Sequence, residues 1–177
     1  MEELISRAKT GDADSFIQLM ELHKQCLYKT AAAILHNDED AADAIQETVL
    51  SCWQNLSSLK KPQYFKTWMT RILINHCNAL LRKRHKEISS DAVNQSASEQ
   101  QSYETNLDEK LDVKQTMSAL KDNYRLVLTL YYVNDIPIKE IAKLLETNEN
   151  TIKTRLSRGR EQFKSVYNNG KGAFHYG

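Results

Sequence analysis

Apolar residues recur along this chain at steps of three and four, the spacing that places side chains on one face of an α-helix. Only five glycines and two prolines interrupt its 177 residues, so few turns and few helix breaks are expected. The pattern therefore predicts an all-α fold. The predicted helices cover about residues 2–9, 14–35, 38–53, 62–86, 111–120, 122–133, 137–145 and 151–164.

Residues 88–108 interrupt this pattern and predict a linker. The segment is rich in Ser, Gln, Asn and acidic residues and has almost no large aliphatic side chain. Such a composition cannot bury enough apolar surface to offset the entropy lost on ordering. We therefore expect two small helical domains, an N-terminal domain (residues 1–87) and a C-terminal domain (residues 109–168), with residues 169–177 as a disordered tail.

Polar residues and a proline mark where several of these helices begin. Asn37 or Asp38 can cap the third helix by accepting a bond from a free backbone N–H, and Asp122 can cap the sixth. Pro62 suits the first turn of the fourth helix, where no backbone N–H is needed. The inner faces expected in the N-terminal core consist of Phe16, Leu19, Met20, His23, Leu27, Ala31, Ile34, Phe65, Trp68, Met69, Ile72, Cys77 and Leu80.

The last two predicted helices, within residues 135–164, form a pair joined by a short polar turn. Each has one apolar face, and Thr147 or Asn148 can cap the second helix. This arrangement is typical of a helix-turn-helix that binds DNA, although a solvated basic face on an ordinary helical hairpin is the alternative. The cations on the remaining surface of the second helix are Lys153, Arg155, Arg158, Arg160 and Lys164.

A second group of cations ends the fourth predicted helix. Four formal cations fall within residues 82–86. Cations attract phosphates of any sequence, and the Asn and aromatic groups nearby can hydrogen-bond or stack with bases. A basic helix end also complements the helix dipole, but four cations exceed that need, which favours nucleic acid.

The net charge of +1 conceals an uneven distribution of charge along the chain. Residues 88–112 carry one basic and six acidic side chains, whereas residues 113–177 carry eleven basic and six acidic ones. The acidic middle therefore masks a basic C-terminal portion, as an anionic partner would require.

Other functional classes find little support in the sequence. Cys26, Cys52 and Cys77 are dispersed and form no CxxC motif, which suits a reducing cytoplasm. His23 and Cys26 could share a helix face, but no second ligand pair lies nearby, so no metal site is predicted. No signal-peptide pattern and no apolar run of ~18 residues is present, so a cytoplasmic chain without membrane insertion is expected. We find no nucleophile–base pair and no phosphate loop, and expect neither enzyme activity nor a cofactor.

Three motifs in order carry a resemblance to a known family. Residues 40–53, DAADAIQETVLSCW, place acids on an apolar helix, which suits a basic or polar protein surface or else a solvated face. Residues 64–84 read YFKTWMTRILINHCNALLRKR, and residues 138–160 read IKEIAKLLETNENTIKTRLSRGR. Together, over about residues 12–166, they resemble a bacterial RNA polymerase sigma factor of the extracytoplasmic-function (ECF) group of the sigma-70 family.

The resemblance implies a sigma-2 domain, a linker and a sigma-4 domain, with a role for each. The residues implied to bind the coiled coil of the polymerase β′ subunit are Asp43, Gln46, Glu47 and Leu50. Those implied to engage and melt the promoter −10 element are Lys60, Lys61, Tyr64, Lys66, Arg71, Asn75, Asn78, Arg82 and Arg84. Those implied to contact the −35 element through the major groove are Thr151, Lys153, Thr154, Arg155, Ser157 and Arg158.

The implied function is promoter-specific transcription initiation together with core RNA polymerase, which performs the catalysis. The C-terminal domain would also meet the β flap, and a dedicated anti-sigma factor, often membrane-anchored, would hold the chain inactive. Two alternatives remain open on the residues alone. One is a two-domain regulator that binds DNA without polymerase; the other is an adaptor or anti-sigma-like protein whose basic surfaces meet acidic protein partners.

Three residues depart from the pattern of the family. Ala79 stands where Asp is frequent, and Asn150 stands where Gly is frequent. Gly159 replaces a common Ala and is expected to weaken the recognition helix by ~1 kcal/mol. None of the three removes a motif.

The length of the linker can be compared with promoter geometry. Two and a half turns of DNA between the element centres correspond to roughly 85 Å. About 21 extended residues reach at most ~70–75 Å, so the linker must be extended when both elements are bound. Its r.m.s. span when free is only ~25 Å, which is compatible with a compact inactive arrangement.

Overall fold

The protein is described here by a computed structural model, which covers residues 1–90 and 108–173. Within those ranges every regular element is helical, which confirms the predicted all-α class. Two 3-10 turns, Leu56–Ser58 and Pro62–Tyr64, precede the fourth helix, and a π-helical segment, Thr129–Val133, follows the sixth. The helices are α1 (Glu2–Lys9), α2 (Ala13–Leu35), α3 (Asp38–Asn55), α4 (Phe65–Ser90), α5 (Asp108–Ser118), α6 (Asp122–Leu128), α7 (Ile138–Leu144) and α8 (Glu149–Ala173).

Side-chain caps determine where three helices begin. An oxygen of Asp12 accepts from the backbone N–H of Ser15 at 3.2 Å and caps α2. Hydrogen bonds from Ser15 and then from Arg7 lower the pKa of Asp12 to about 2, so this cap is charged at neutral pH. Asn37 caps α3 and Asn148 caps α8 in the same way, at 2.9 and 2.7 Å.

The N-terminal core forms around α2, which packs against α1, α3 and α4. His23 of α2 is buried there, and its Nδ1–H donates to the carbonyl of Leu19 at 2.8 Å. Burial lowers the pKa of His23 below its ordinary 6.5, and the nearby Lys66 charge acts in the same direction. The buried apolar residues include Phe16, Leu19, Met20, Leu27, Ala31, Phe65, Met69 and Cys77, whereas Ile34, Trp68, Ile72 and Leu80 are only partly buried.

A close approach of two helices shapes the C-terminal core. Gly159 of α8 faces α6, and a Cβ at this position would lie 3.2 Å from both Tyr124 Cβ and Leu128 Cδ1. The glycine therefore lowers the intrinsic stability of α8 but lets the two helices pack closely. The buried apolar members contributed by this half of the chain are Leu120, Val127, Leu128, Leu130, Ile136, Ile141, Ala142, Leu144, Ile152 and Leu156.

Several local predictions differ from the structure. Asp122 does not cap α6, because Lys121 is the N-cap residue and Asp122 instead accepts from the Arg125 guanidinium at 2.7 Å. Helix α8 continues to Ala173, five residues into the predicted tail, and residues 174–177 lie outside the described ranges. Helix α4 continues to Ser90, and most of the predicted linker, residues 91–107, also lies outside them.

Candidate functional surfaces

The acidic face of α3 is exposed on the side of the helix opposite its core contacts. Asp43, Gln46 and Glu47 are exposed, and Leu50, one turn further on, is 54% exposed. The structure thus brings all four predicted residues onto one face. Trp53 extends this face by another turn and remains 40% exposed, with its ring centroid 5.0 Å from that of Phe16.

An exposed polar stripe runs along α4. Arg71, Asn75, Asn78 and Arg82 follow one another at steps of four, three and four, and all four are exposed. The predicted loop residues Lys60, Lys61 and Tyr64 are also exposed and lie just before α4 in the chain. This surface, the α4 stripe, presents two guanidinium groups and two amides to solvent.

Two residues predicted with this stripe do not join it. Lys66 is half-buried, five positions before Arg71, and its charge lies near His23 in the core. Arg84 lies two positions after Arg82 and forms an ion pair with Asp40 of α3. At 100° per residue both positions point away from the stripe, so the structure separates them from the other predicted DNA contacts on α4.

A concave polar site of about 370 Å³ lies beside the α4 stripe. Trp68 was predicted in the core, but it is only partly buried and also lines this site, with its centroid 6.0 Å from that of Phe65. Ser51 Oγ and His76 Nε2 are hydrogen-bonded at 3.0 Å on its wall. The residues that line it are Ser51, Asn55, Ser58, Trp68, Ile72, Asn75 and His76.

Only Asn75 among these residues was predicted as a DNA contact. The polar side chains at 51, 55 and 58, at steps of four and three, are a signal that the sequence does contain. Their meeting with His76 could not be predicted, because it depends on how α3 and α4 pack.

Helix α8 exposes three of its six predicted contacts, Lys153, Thr154 and Arg158. The exposed Thr154 lies opposite the buried Ile152 and Leu156. The half-buried Ser157 lies beside it, and the exposed Lys153 and Arg158 flank this pair. Among the described residues neither of these two cations has an ion-pair partner. The outward face is therefore available to an anion.

The other two predicted residues of α8 lie at the edge that meets α6. Thr151 and Arg155 are half-buried. They line a groove of about 510 Å³ together with Thr154 and Arg158 of α8 and with Asn123 and Tyr124 at the start of α6. Asn123 and Tyr124 were not predicted at this site, because nothing in their spacing indicates that α6 begins beside α8.

No other site chemistry emerges from the described parts of the chain. Residues 1–90 and 108–173 contain no cluster of three potential metal ligands. Burial raises the pKa of Cys52 and of Cys77 to about 12, which keeps both as unreactive thiols. In the same ranges, none of the helices has the length and apolar character needed to cross a lipid bilayer.

Comparisons with known protein families match both halves of the chain. Residues 19–87 match the family described as Sigma-70 region 2, and residues 110–163 match Sigma-70, region 4. RNA polymerase sigma factor SigV of Bacillus subtilis is 31% identical over 140 residues, which cover 77% of this chain and 81% of SigV. ECF RNA polymerase sigma factor SigW of the same species is 27% identical over 177 residues, covering 93% and 95% of the two chains.

Two solved structures share the fold. RpoE, in a complex with the anti-sigma factor NepR from Bartonella quintana, aligns with a TM-score of 0.69 and 24% identity, over 85% of this chain and 95% of RpoE. CnrH, in a complex with the cytosolic domain of CnrY, aligns with a TM-score of 0.64 and 21% identity, over 95% and 97% of the two chains. The two family matches and the similarity to SigV and SigW show that the chain belongs to the ECF group of the sigma-70 family of RNA polymerase sigma factors.

Proposed function

We propose that this sigma factor recruits core RNA polymerase through α3 and selects promoters through two separate DNA-binding surfaces. One observation carries the proposal: the exposed surfaces differ in charge as these partners require. The α3 face is acidic and partly apolar, whereas the α4 stripe and the outward face of α8 are cationic and polar. A regulator that binds only DNA has no need of the first of these faces.

For the −35 element, we assign the contacts to α8. A helix of this kind enters the major groove of duplex DNA and reads base edges with its outward side chains. Lys153 and Arg158 flank Thr154 and Ser157, so the positions that would face bases have a cation on either side to attract the phosphates. Arg155, Asn123 and Tyr124 line the adjoining groove, and we assign them to the DNA backbone beside the element.

For the −10 element, we assign the contacts to the α4 stripe and the concave site beside it. Cations of the stripe would attract the backbone of the opened strand, and an unstacked base could enter the site against Trp68. The Ser51–His76 pair and Asn75 offer donors and acceptors to the edge of such a base. Since these contacts form only after a base leaves the duplex, they would favour strand opening.

We extend the proposal to control by an anti-sigma factor. Support comes from RpoE, which has been solved with the anti-sigma factor NepR, and from CnrH, which has been solved with the cytosolic domain of CnrY. On this basis the chain works in the cytoplasm, without catalytic activity of its own, and a membrane-anchored anti-sigma factor would hold it at the membrane. The units that act are residues 1–87 and 109–168, joined by the linker.

Run-off transcription with purified bacterial core polymerase tests the proposal. The template is a library randomised at both promoter elements, and we expect the chain to enrich one −10 and −35 pair. The absence of specific transcripts, with DNA binding retained, would favour a regulator that acts without polymerase. The absence of both specific transcripts and DNA binding would favour the adaptor alternative.

A variant of the α3 face tests polymerase binding separately. We expect the combined change of Asp43, Gln46 and Glu47 to Ala to weaken core binding at least about tenfold, because exposed contact residues are removed without touching the core. Changing the exposed Glu2 and Glu3 of α1 to Ala is the matched control for lost negative charge. Equal affinity of the two variants, measured by fluorescence titration with core polymerase, would refute the assignment.

A further inference from the structure

The N-terminal and C-terminal domains touch each other directly. Helix α2 packs against α6 and the π-helical segment. Ile74 of α4 is 5% exposed because it is buried in the C-terminal core, and Ile34 of α2 packs against both cores. Specific side chains therefore hold the two domains together, in addition to the linker.

A buried hydrogen bond crosses this contact. Asn134 Nδ2 donates to Thr30 Oγ1 at 2.8 Å, and both residues are fully buried. Thr30 in turn donates its hydroxyl proton to the carbonyl of Cys26 at 2.8 Å, which leaves its oxygen able to accept from Asn134. Because a buried donor without an acceptor is costly, this pair favours one arrangement of the domains over others.

A second polar contact lies at the C-terminal end of α2. Arg125 Nη1 lies 2.7 Å from His36 Nδ1, and since arginine only donates, the imidazole nitrogen accepts. The ring then carries its proton on Nε2, which donates to Asp122 Oδ1 at 3.1 Å. Arg125 is buried and also donates to the carbonyl of Leu120 at 2.8 Å, so its guanidinium is held in place from within its own domain.

We propose that Thr30, Asn134, His36 and Arg125 form an interdomain latch that keeps the free chain closed and unable to use a promoter. The inference rests on the proposed function. When closed, the chain carries both DNA-binding surfaces on domains in direct contact, whereas the two promoter elements lie roughly 85 Å apart. The latch must therefore open before both elements can be bound.

The polar character of the latch makes it reversible. Asn134 Oδ1 and Arg125 Nε are buried without a hydrogen-bond partner in the described parts of the chain. Such unsatisfied groups weaken a contact relative to an apolar interface of the same size. The latch is thus specific enough to define the closed form, and a partner that binds only the open form can displace it.

Thiol labelling of the full-length protein tests the latch without polymerase or DNA. Cys26 is half-buried, and its Sγ lies 3.7 Å from the carbonyl of Val133 across the contact, so opening exposes this thiol further. Cys52 and Cys77 are buried in the N-terminal core and serve as internal reporters of unfolding. We expect Thr30→Val to raise the rate of iodoacetamide labelling at Cys26 at least about fivefold, as measured by peptide mass spectrometry, with the other two cysteines unchanged.

Thr48→Val is the matched control for this change. Thr48 is equally buried and donates to the carbonyl of Ala44 within α3, at 2.6 Å, but no side chain among residues 1–90 and 108–173 donates to it as Asn134 donates to Thr30. His36→Asn is a second latch variant, because Asn tolerates the left-handed backbone of this position (φ 55°) but is too short to replace the ring. Equal Cys26 labelling in both latch variants and the control would overturn the proposal.

Run-off transcription at limiting core polymerase separates the latch from the proposed function. We expect Thr30→Val to increase transcript yield about twofold or more, because less of the chain is closed. Unchanged labelling with normal wild-type transcription would refute the latch alone. Faster labelling of the variant, with no transcription by either protein, would refute the proposed function alone.

Discussion

At the scale of single residues, His23 links the stability of the N-terminal domain to pH. Its folded-state pKa is depressed because burial opposes the imidazolium, whereas the unfolded chain titrates near 6.5. Between these two values the unfolded state binds more protons than the folded state. His23 therefore contributes stability that is fully present above pH 6.5 and is lost as the pH falls through the folded pKa.

We expect His23→Leu to remove this part of the pH dependence. The free energy of unfolding of the wild type should decrease as the pH falls below 6.5, and that of the variant should decrease less steeply. Urea unfolding at a series of pH values, followed by tryptophan fluorescence, measures both slopes. His85→Leu, which changes an exposed histidine, is the control, and a slope shared by all three proteins would contradict the assignment.

For Gly159→Ala, the packing of α6 against α8 predicts a change in stability of the opposite sign to that expected from helix propensity. At an exposed helical site, Gly→Ala adds about 1 kcal/mol of stability. Here the new Cβ would lie 3.2 Å from Tyr124 Cβ, which its own backbone holds in place. We expect Gly159→Ala to lower the stability of the C-terminal domain by about 1 kcal/mol, as crowding outweighs propensity.

Hydrogen exchange of the α6 and α8 amides in the full-length protein measures the effect of Gly159→Ala. The control is Ser165→Ala, at an exposed position of the same helix, which should leave protection equal or slightly higher. Protection that rises in both variants would show that α6 moves aside without cost.

At the scale of elements, the −35 role proposed for α8 predicts separate effects of its cations and its hydroxyl residues on DNA binding. Lys153 and Arg158 are flanking cations, so replacing either with Ala should weaken −35 binding for all sequences and reduce the salt dependence, with a slope about one unit smaller. Replacing Thr154 or Ser157 should instead change which base pairs are preferred.

These effects on α8 can be measured by competition binding of polymerase holoenzyme to −35 variants across a range of salt. Lys24→Ala is the control, because Lys24 is an exposed cation of α2 in an ion pair with Glu21. A salt slope that falls equally for Lys24→Ala and Arg158→Ala would contradict the assignment.

The elements themselves were largely predictable from apolar spacing and caps. Asn37 and Asn148 bind the backbone N–H groups that their positions before helices predict. The ion pair between Asp122 and Arg125 has the i,i+3 spacing that helical neighbours use, so the sequence did contain a signal for it, but the same Asp122 also suited a cap. Nothing in the local sequence predicted the π-helical segment, which packs against α2.

Exposed faces could be predicted where one helix forms them alone. Helical spacing accounts for the shared exposure of Asp43 to Leu50 and of the outward face of α8. Their assignment to polymerase and to DNA came from the resemblance to the family and stays a prediction. The same spacing, applied to Lys66 and Arg84, would have separated them from the α4 stripe. The site around Trp68 and His76 requires two helices and a turn, so its assembly could not be derived from any one segment.

At the scale of the whole molecule, the linker limits how far the two domains can separate. Helices end at Ser90 and begin again at Asp108, and the intervening 91–107 can extend to at most ~60 Å. Deleting ten residues from this segment should leave core binding intact but abolish promoter-dependent transcription, because the remainder cannot bridge the two elements. Gel-shift with core polymerase and run-off transcription measure the two activities.

The control for this deletion replaces the same ten residues with ten Gly and Ser residues, which keeps the length and alters the composition. Restored transcription in this variant would show that the deletion acts through the shorter length of the linker and not through its altered composition. Promoter-dependent transcription by the deletion variant would show that the length of the linker does not limit binding to both elements.

The hydrogen bond between Thr30 and Asn134 has a consequence for how promoters compete with one another. The cost of breaking this bond depends on the chain alone and not on the promoter sequence, so it is the same at every promoter. Weakening the bond should therefore multiply expression from all target promoters by one common factor and keep their ranking. A substitution at Thr154 should reorder that ranking. Different residues of the same sigma factor therefore set the overall level of expression and the choice of promoters.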